Sequence, residues 1–471
     1  MLLQIITAIS DFLWGTPMTV ALVGTGLYLG IRFGFRYNFR KVGFNFRNTF
    51  GKMFQKGEGT GTVSGFAAAC TAMANTIGVG NIGGVATAIV SGGPGAVFWM
   101  WVSGLLGMST KACEIILGQR YRVKYSESMD EYMCDRSFVM KNALGWKKGA
   151  VVLSVACFVL GPWTCCVQTE SVTSSLQEGF GIDPLISVIV LGVTCFLTIA
   201  GGLKRISSIM EKVVPIMALF YILGGLGILI MNWSIVPSAF GLIFKSAFSG
   251  SAAAGGFAGA GIAAAMRWGI ARGTYSSEAG MGSAPIAHSA ATTDHAVRQG
   301  FWGIFEVTVS AIIICTMTAL VVLTSGVWTK VGTANAAAMP SIAFQSVLGE
   351  RFGGGVVSVC MLLFVLSTVI VIIYYGEKQA EYLFGTFFSK LVKFGYIAAI
   401  FLGAVGGLEF IFQFLDFVLG ITVIPNIVGL LMMSGKVVEL KKEFFSDPRY
   451  YLKDTAKCQH EETKILIGNE E

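Results

Sequence analysis

Gly78-Val79-Gly80-Asn81-Ile82-Gly83-Gly84 stands in the middle of an apolar stretch, residues 64 to 90, that is otherwise long enough to cross a membrane. A glycine inside a helix costs about 1 kcal/mol relative to alanine, so this cluster predicts a helix that opens at mid-height. A second cluster, Ala254-Gly255-Gly256-Phe257-Ala258-Gly259-Ala260-Gly261, lies in the apolar segment 249 to 271. Each segment opens a run of five apolar segments, and the two runs start from opposite sides of the membrane. Interruptions at matching places of two inverted halves mark the binding site of a transporter, because unwinding frees backbone amides and carbonyls near the midplane. Freed amides suit a carboxylate; freed carbonyls suit a cation or an ammonium. The competing reading of each cluster alone is close helix packing through small residues.

Composition places the rest of the chain in the same setting. Hydrophobic residues make up 54% and charged residues 13%, against about 25% charged in a soluble domain. Eleven apolar segments of spanning length are expected, at 12–33, 64–90, 93–118, 149–177, 184–200, 213–231, 249–271, 300–324, 354–375, 394–408 and 411–435. The fold class is therefore all-α integral membrane, one amino-terminal helix plus a 5+5 inverted-repeat bundle. It divides into 1–60 (first helix and basic loop), 61–232 (first repeat), 233–436 (second repeat) and 437–471 (tail).

Of the 34 Lys and Arg residues, only Lys245, Lys330 and Arg351 fall in one set of alternate loops. That asymmetry makes the basic side cytoplasmic, with the amino terminus external and the tail cytoplasmic. The +7 net charge then faces anionic lipid; no separate basic module for nucleic acid is visible. The first segment is too long for a signal-peptide core and has no basic residues before it, so it is expected to remain attached. The 10 cysteines form no CxxC pair, and most sit in apolar segments as small hydrophobes, which implies neither disulfides nor a metal.

Several strings carry a resemblance: Thr76-Ile-Gly-Val-Gly-Asn-Ile-Gly-Gly-Val-Ala-Thr-Ala-Ile89, Gly92-Gly-Pro-Gly-Ala-Val-Phe-Trp-Met-Trp101, Arg267-Trp-Gly-Ile-Ala-Arg-Gly273, Ser277-Glu-Ala-Gly-Met-Gly-Ser-Ala-Pro285 and Tyr374-Tyr-Gly-Glu377. Over nearly its whole length the chain resembles the alanine or glycine to cation symporters, which share the inverted-repeat fold of the neurotransmitter-sodium symporters. The resemblance implies a carrier of the bacterial inner membrane, working as a monomer, in which a sodium gradient drives symport of a small neutral amino acid by alternating access. The coupling ion is the only cofactor it implies.

It also implies sites. Sodium would sit between the carbonyls of Ala74 and Ile77 and a face formed by Phe364, Ser367 and Thr368, which stand at i, i+3 and i+4 and offer hard oxygen donors. Such hydroxyls also bond back to their own helix. A proton as coupling ion would require a titrating carboxylate in this segment, and 354–373 has none. For the substrate, amides of Val79, Gly80 and Asn81 at a half-helix start suit its carboxylate. Carbonyls near Thr76 and around Phe257, Ala258 and Gly259 suit its ammonium. Gln168 corresponds to the family's substrate glutamine, and Phe257 to a ring walling the pocket.

The chain departs from the family at Ile372, where many members carry tryptophan, at Ser310 (often aspartate), at Thr164 and Cys165 (glycine and asparagine), and at Glu170 (asparagine). An intramembrane carboxylate such as Glu170 counts as a functional residue by default. Together these departures point to a roomier pocket and a larger neutral amino acid. Residues 276 to 295 are expected to flex as an inner gate, with Glu278 and Arg272 available for ion pairs, and His288 and His295 are not metal ligands. Glu114, Glu306, Glu409 and Asp416 receive no role.

Other classes fare worse. All three histidines fall in expected cytoplasmic segments and no GxSxG nucleophile motif occurs, which argues against an enzyme. Coupling to protons, or a channel lined by glycine-broken helices, stand as alternatives.

Overall fold

The computed structural model describes residues 2–34, 42–53, 59–126, 131–249, 261–331, 336, 338–404 and 409–451. Phe257, Ala258 and Gly259, with the rest of 250–260, lie outside them. The helices are α1 (Leu2–Leu13), α2 (Thr16–Phe33), α3 (Val42–Asn48), α4 (Gly65–Thr76), α5 (Val79–Gly92), α6 (Ala96–Tyr121), α7 (Arg136–Leu144), α8 (Lys147–Phe180), α9 (Pro184–Ile199) and α10 (Gly202–Met231). There follow α11 (Val236–Phe248), α12 (Ile262–Ser277), α13 (Ala284–His288), α14 (Ala296–Thr324), α15 (Met339–Leu348), α16 (Glu350–Phe384), α17 (Thr386–Gly403), α18 (Glu409–Ser446) and α19 (Pro448–Tyr451). Four short strands, β1 (Val63–Ser64), β2 (Val123–Ser126), β3 (Glu131–Met133) and β4 (Ala291–Thr292), pair as β1 with β4 and β2 with β3.

Six described helices are long and apolar enough to cross a membrane, and the bent pair α4 and α5 makes a seventh. The molecule is thus an all-helical, multi-span membrane protein. Its outer face is apolar: Leu185, Ile189, Val193 and Phe196 form one exposed stripe along α9. Its interior holds the charges, with Lys111, Glu114, His288 and Glu306 at most 2% exposed. The expected first segment begins differently from its expectation, because α1 ends at Leu13 and α2 restarts at Thr16 with Pro17 in its first turn, where a missing N–H is harmless.

Two groups of helices dominate the packing. The antiparallel helices α8 and α16 lie along each other for most of their length. Gly179 on one meets Ser358 on the other, and Gly161 and Gly376 together make room for the ring of Tyr396. In the second group α6 packs against both α12 and α14. Residues 269 to 288 climb α6 in register: Gly269 lies on Ala96 and Trp99, Gly273 on Met100 and Ser103, Ala279 at Gly107, and Pro285 at Gly118. Gln119 then donates to the His288 carbonyl.

The described stretch 262–288 carries an interruption of its own opposite the middle of α6, at Glu278 to Ser283; the interruption expected at the 254–261 glycine cluster lies, but for Gly261, outside the described residues. Glu278 (φ 53°), Gly280 (φ 90°) and Gly282 (φ 71°) all adopt the left-handed region there, which a non-glycine residue such as Glu278 seldom does. As a result Arg267 and Arg272 do not belong with the basic loops. They line a small space with Ser10, Trp14 and Asp416 instead, Arg272 standing 3.9 Å from Asp416.

The other basic loops gather at one end of the molecule. Arg122 donates to the carbonyls of Ser289, Ala291 and Thr60, Arg298 binds Asp294, Asn48 and Tyr450, and Lys378 pairs with Glu131 and Glu381. Burial lowers the His295 imidazole below its ordinary value, so its Nδ1 stays free to accept the Val297 N–H and cap α14.

An added Cβ at Gly269 would run into the Ala96 carbonyl, and overpacking of this kind costs about 1–3 kcal/mol. Gly269→Ala should therefore lower the melting temperature in detergent, whereas Gly227→Ala, inside α10 with nothing within 4 Å, should not lower it.

Candidate functional site

The first break is made by one side chain. In an unbroken helix the Gly78 N–H would bond to the Ala74 carbonyl and the Asn81 N–H to the Ile77 carbonyl. Here Asn81 Oδ1 takes the Gly78 N–H at 3.1 Å, and the Asn81 N–H turns to the Gly78 carbonyl at 3.1 Å. Both upstream carbonyls are released, and the axis bends by 41°. Asn81 is fully buried and is itself held: Nδ2 reaches the carbonyl of Ser310 at 3.3 Å, while the Asn81 carbonyl accepts from Thr318 at 2.9 Å. Ser310 lies within a π-helical stretch, Thr308–Ile314, inside α14, whose widened turns are frequent at functional sites.

The freed carbonyls face α16. Thr368 Oγ1 lies 2.8 Å from the Ala74 carbonyl, 3.5 Å from that of Ile77 and 2.8 Å from that of Phe364. Ser367 Oγ sits one position away, 2.9 Å from the same Phe364 carbonyl and 3.5 Å from Met217 Sδ. Ala74, Ile77, Phe364 and Thr368 thus meet between α4 and α16, while Ser367 Oγ turns to Met217 on α10; all five are buried. Their oxygens are neutral and hard, the donor type a sodium ion takes.

The second break is clamped by α6. Lys111 Nζ donates to the Ser277 carbonyl at 2.9 Å and to Thr76 Oγ1 at 3.1 Å, and pairs with Glu306 Oε2 at 3.1 Å. His288 Nε2 meets the other Glu306 oxygen. One turn along α6, Glu114 Oε1 accepts the Gly282 N–H at 2.9 Å and the Asn426 amide at 2.7 Å; the same amide reaches the Gly280 carbonyl. Glu278 receives Asn75 Nδ2 at 2.6 Å and Ser283 Oγ at 2.7 Å, which ties the two breaks together instead of forming the expected ion pairs with basic loops.

Between the breaks lies a cavity of about 110 Å³. Thr76, Gly80, Gln168, Thr368 and Ile372 are in its wall, with Thr164, Tyr275, Glu278 and Tyr375. Val79, Asn81 and Glu170 are not in that wall; Glu170 is half-buried on α8. Gln168 Oε1 and the Tyr375 hydroxyl, both in the wall, are buried without a hydrogen-bond partner. The Tyr275 ring lies over Gly80 and separates the cavity from the space around Arg272. At its far end the cavity reaches Asp135, Arg136 and Gln379, and Arg136 donates to the Met281 carbonyl.

Sequence reasoning missed Lys111, Glu114, Glu306 and His288 as parts of the site. The available signal was their charge inside apolar segments, which by itself marks function in a membrane. Tyr275 offered no such signal, since aromatic residues are ordinary packing in membrane helices.

Two interrupted helices beside an internal cavity in a multi-span helical protein give the architecture of a membrane transporter. The chain belongs to the sodium:alanine symporter family, which it matches over residues 1–457, a family of sodium-coupled amino-acid symporters. It is 46% identical to the uncharacterized transporter YflA of Bacillus subtilis (strain 168), with 97% of each chain covered. It is 39% identical to the sodium/alanine symporter AgcS of Methanococcus maripaludis, covering 94% of this chain and 97% of that one. Its fold is similar to that of MhsT, solved in complex with L-phenylalanine, at a TM-score of 0.59 and 15% identity over 83% of this chain and 98% of that one.

Glu114→Ala removes the acceptor of the Gly282 N–H, and a buried unsatisfied donor costs about 1–3 kcal/mol. Backbone amides of residues 279–283 should exchange faster with deuterium and the detergent melting temperature should fall. Unchanged exchange in that stretch would show that the clamp does not hold it.

Proposed function

We propose that this chain carries a neutral amino acid into the cell together with sodium by alternating access, through eleven crossings arranged as one amino-terminal helix and two inverted repeats, 61–232 and 233–436. The opposite courses of α4–α5 and α12–α13, which meet at Lys111, support the inverted arrangement. The observation that carries the proposal is the pair of released carbonyls, Ala74 and Ile77, facing the Thr368 hydroxyl beside the cavity. Sodium binds there, with Phe364 and Ser367 completing its oxygen donors.

The amino acid lies in the adjoining cavity. Its carboxylate meets the amino-terminal amides of α5 around Val79 and Gly80, where the helix dipole favours an anion. Its ammonium meets Gln168 Oε1 and the Glu278 carboxylate, acceptors from two different elements. Its side chain points toward Thr164, Ile372 and Tyr375. AgcS is named a sodium/alanine symporter; a branched Ile372 and a cavity of about 110 Å³ favour a side chain larger than a methyl. The end that gathers the basic loops faces the cytoplasm, so the cavity extends inward and Tyr275 belongs to the outer barrier.

Uptake into proteoliposomes, with sodium, lithium, potassium or pH gradients imposed separately, tests the reading. Sodium alone should drive accumulation, and accumulation driven only by the pH gradient would replace sodium with a proton. Thr368→Val, which keeps the shape and removes the hydroxyl, should raise the half-saturating sodium concentration about tenfold, a loss of about 1.4 kcal/mol. Ile372→Trp should narrow the pocket, so that in competition assays alanine and glycine still compete while larger neutral amino acids no longer do.

A further inference from the structure

We propose that Lys111 is a permanent internal cation that occupies the second place where broken-helix ends converge, so that each amino acid crosses with one sodium ion. This rests on the transport reading above and goes on to its stoichiometry. α4 ends at Thr76 and α12 at Ser277, and the carboxyl ends of both helices, each carrying partial negative charge, point at one spot. The oxygens gathered there are the Ser277 carbonyl, Thr76 Oγ1 and the Glu306 carboxylate. That is a set of hard donors with a net negative charge, the composition that holds a small cation.

The spot is filled by Lys111 Nζ, which donates to the Ser277 carbonyl at 2.9 Å and to Thr76 Oγ1 at 3.1 Å and stands 3.1 Å from Glu306 Oε2 in an ion pair. Lys111 and Glu306 side chains are fully buried, and Thr76 and Ser277 are at most 2% exposed, so water does not compete for these contacts. The comparison with the other convergence is direct. At Ala74, Ile77 and Thr368 every group is neutral and the charge must come from an ion that can leave. At Thr76, Ser277 and Glu306 the charge is covalently tethered to α6 and cannot be transported.

The decisive measurement is the ratio of radiolabelled sodium to amino acid taken up by proteoliposomes holding the unaltered protein, paired with the membrane potential that reverses flux at fixed gradients. One sodium and one net charge per neutral amino acid is expected; two of each would overturn the inference while leaving sodium symport intact. Absence of sodium-driven uptake would instead defeat the transport reading itself. Lys111→Ala removes the tethered charge and leaves the oxygens, so its sodium dependence should steepen from a Hill coefficient near one toward two, with two sodium ions per amino acid. Lys111→Ala combined with Glu306→Gln should return to one. An active Lys111→Ala protein that keeps a ratio of one would overturn the inference. If that variant does not fold, the ratio in the unaltered protein decides.

Discussion

The Asn81 carboxamide takes the Gly78 N–H away from its own helix, and most of what surrounds the cavity follows from that exchange. A helix loses two hydrogen bonds, its axis turns, and the carbonyls of Ala74 and Ile77 become available to α16. In hydrocarbon such groups must be satisfied by protein, and Thr368 supplies the partner. The remaining atoms of Asn81 are anchored in α14 at its π-helical stretch, so the break is held from a neighbouring helix and does not depend on glycine flexibility alone.

The second break is maintained by charge. Lys111 and Glu114, one turn apart on α6, grip the carbonyl before it and the amide within it. Removing one partner of a buried ion pair costs about 3–5 kcal/mol, so the Lys111, Glu306 and His288 network makes the geometry of Glu278 to Ser283 nearly obligatory. Burial of these groups is tolerable because each has partners on several elements: Thr76, Ser277, Gln299 and Asn426 all contribute.

Much of this was legible in the residues. The glycine cluster at 78–84 marked a real interruption, because the residue that opens the helix, Asn81, lies inside it. The spacing of Phe364, Ser367 and Thr368 put their oxygens on one face; the structure sets Thr368 against Ala74 and Ile77 and turns Ser367 toward Met217. The interruption at Glu278 to Ser283 went unread because glycine content is a poor guide where the chain is bent by partners. Glu278 takes a left-handed conformation against its own preference, under contacts from Asn75 and Ser283 that are 203 and 5 residues away in sequence. Arg267 and Arg272, expected with the basic loops, lie instead beside Trp14 and Asp416. Glu114, Glu306 and Lys111 went unread because a charge in an apolar segment does not announce which helix will meet it.

The stepwise register of residues 269 to 288 along α6 has a mechanical consequence. Small-residue contacts and two charged anchors bind α12, its interruption and α13 to α6 over its whole height, so these elements shift only as one solid piece. The long antiparallel pair α8 and α16 forms another. Lys111 ties the end of α4 to the first piece through Thr76, so the Thr368 to Ala74 bond reaches across the seam, and any sliding along that seam must stretch it. A cation held there would act as a rivet, joining the two pieces while present and releasing them to slip when it departs.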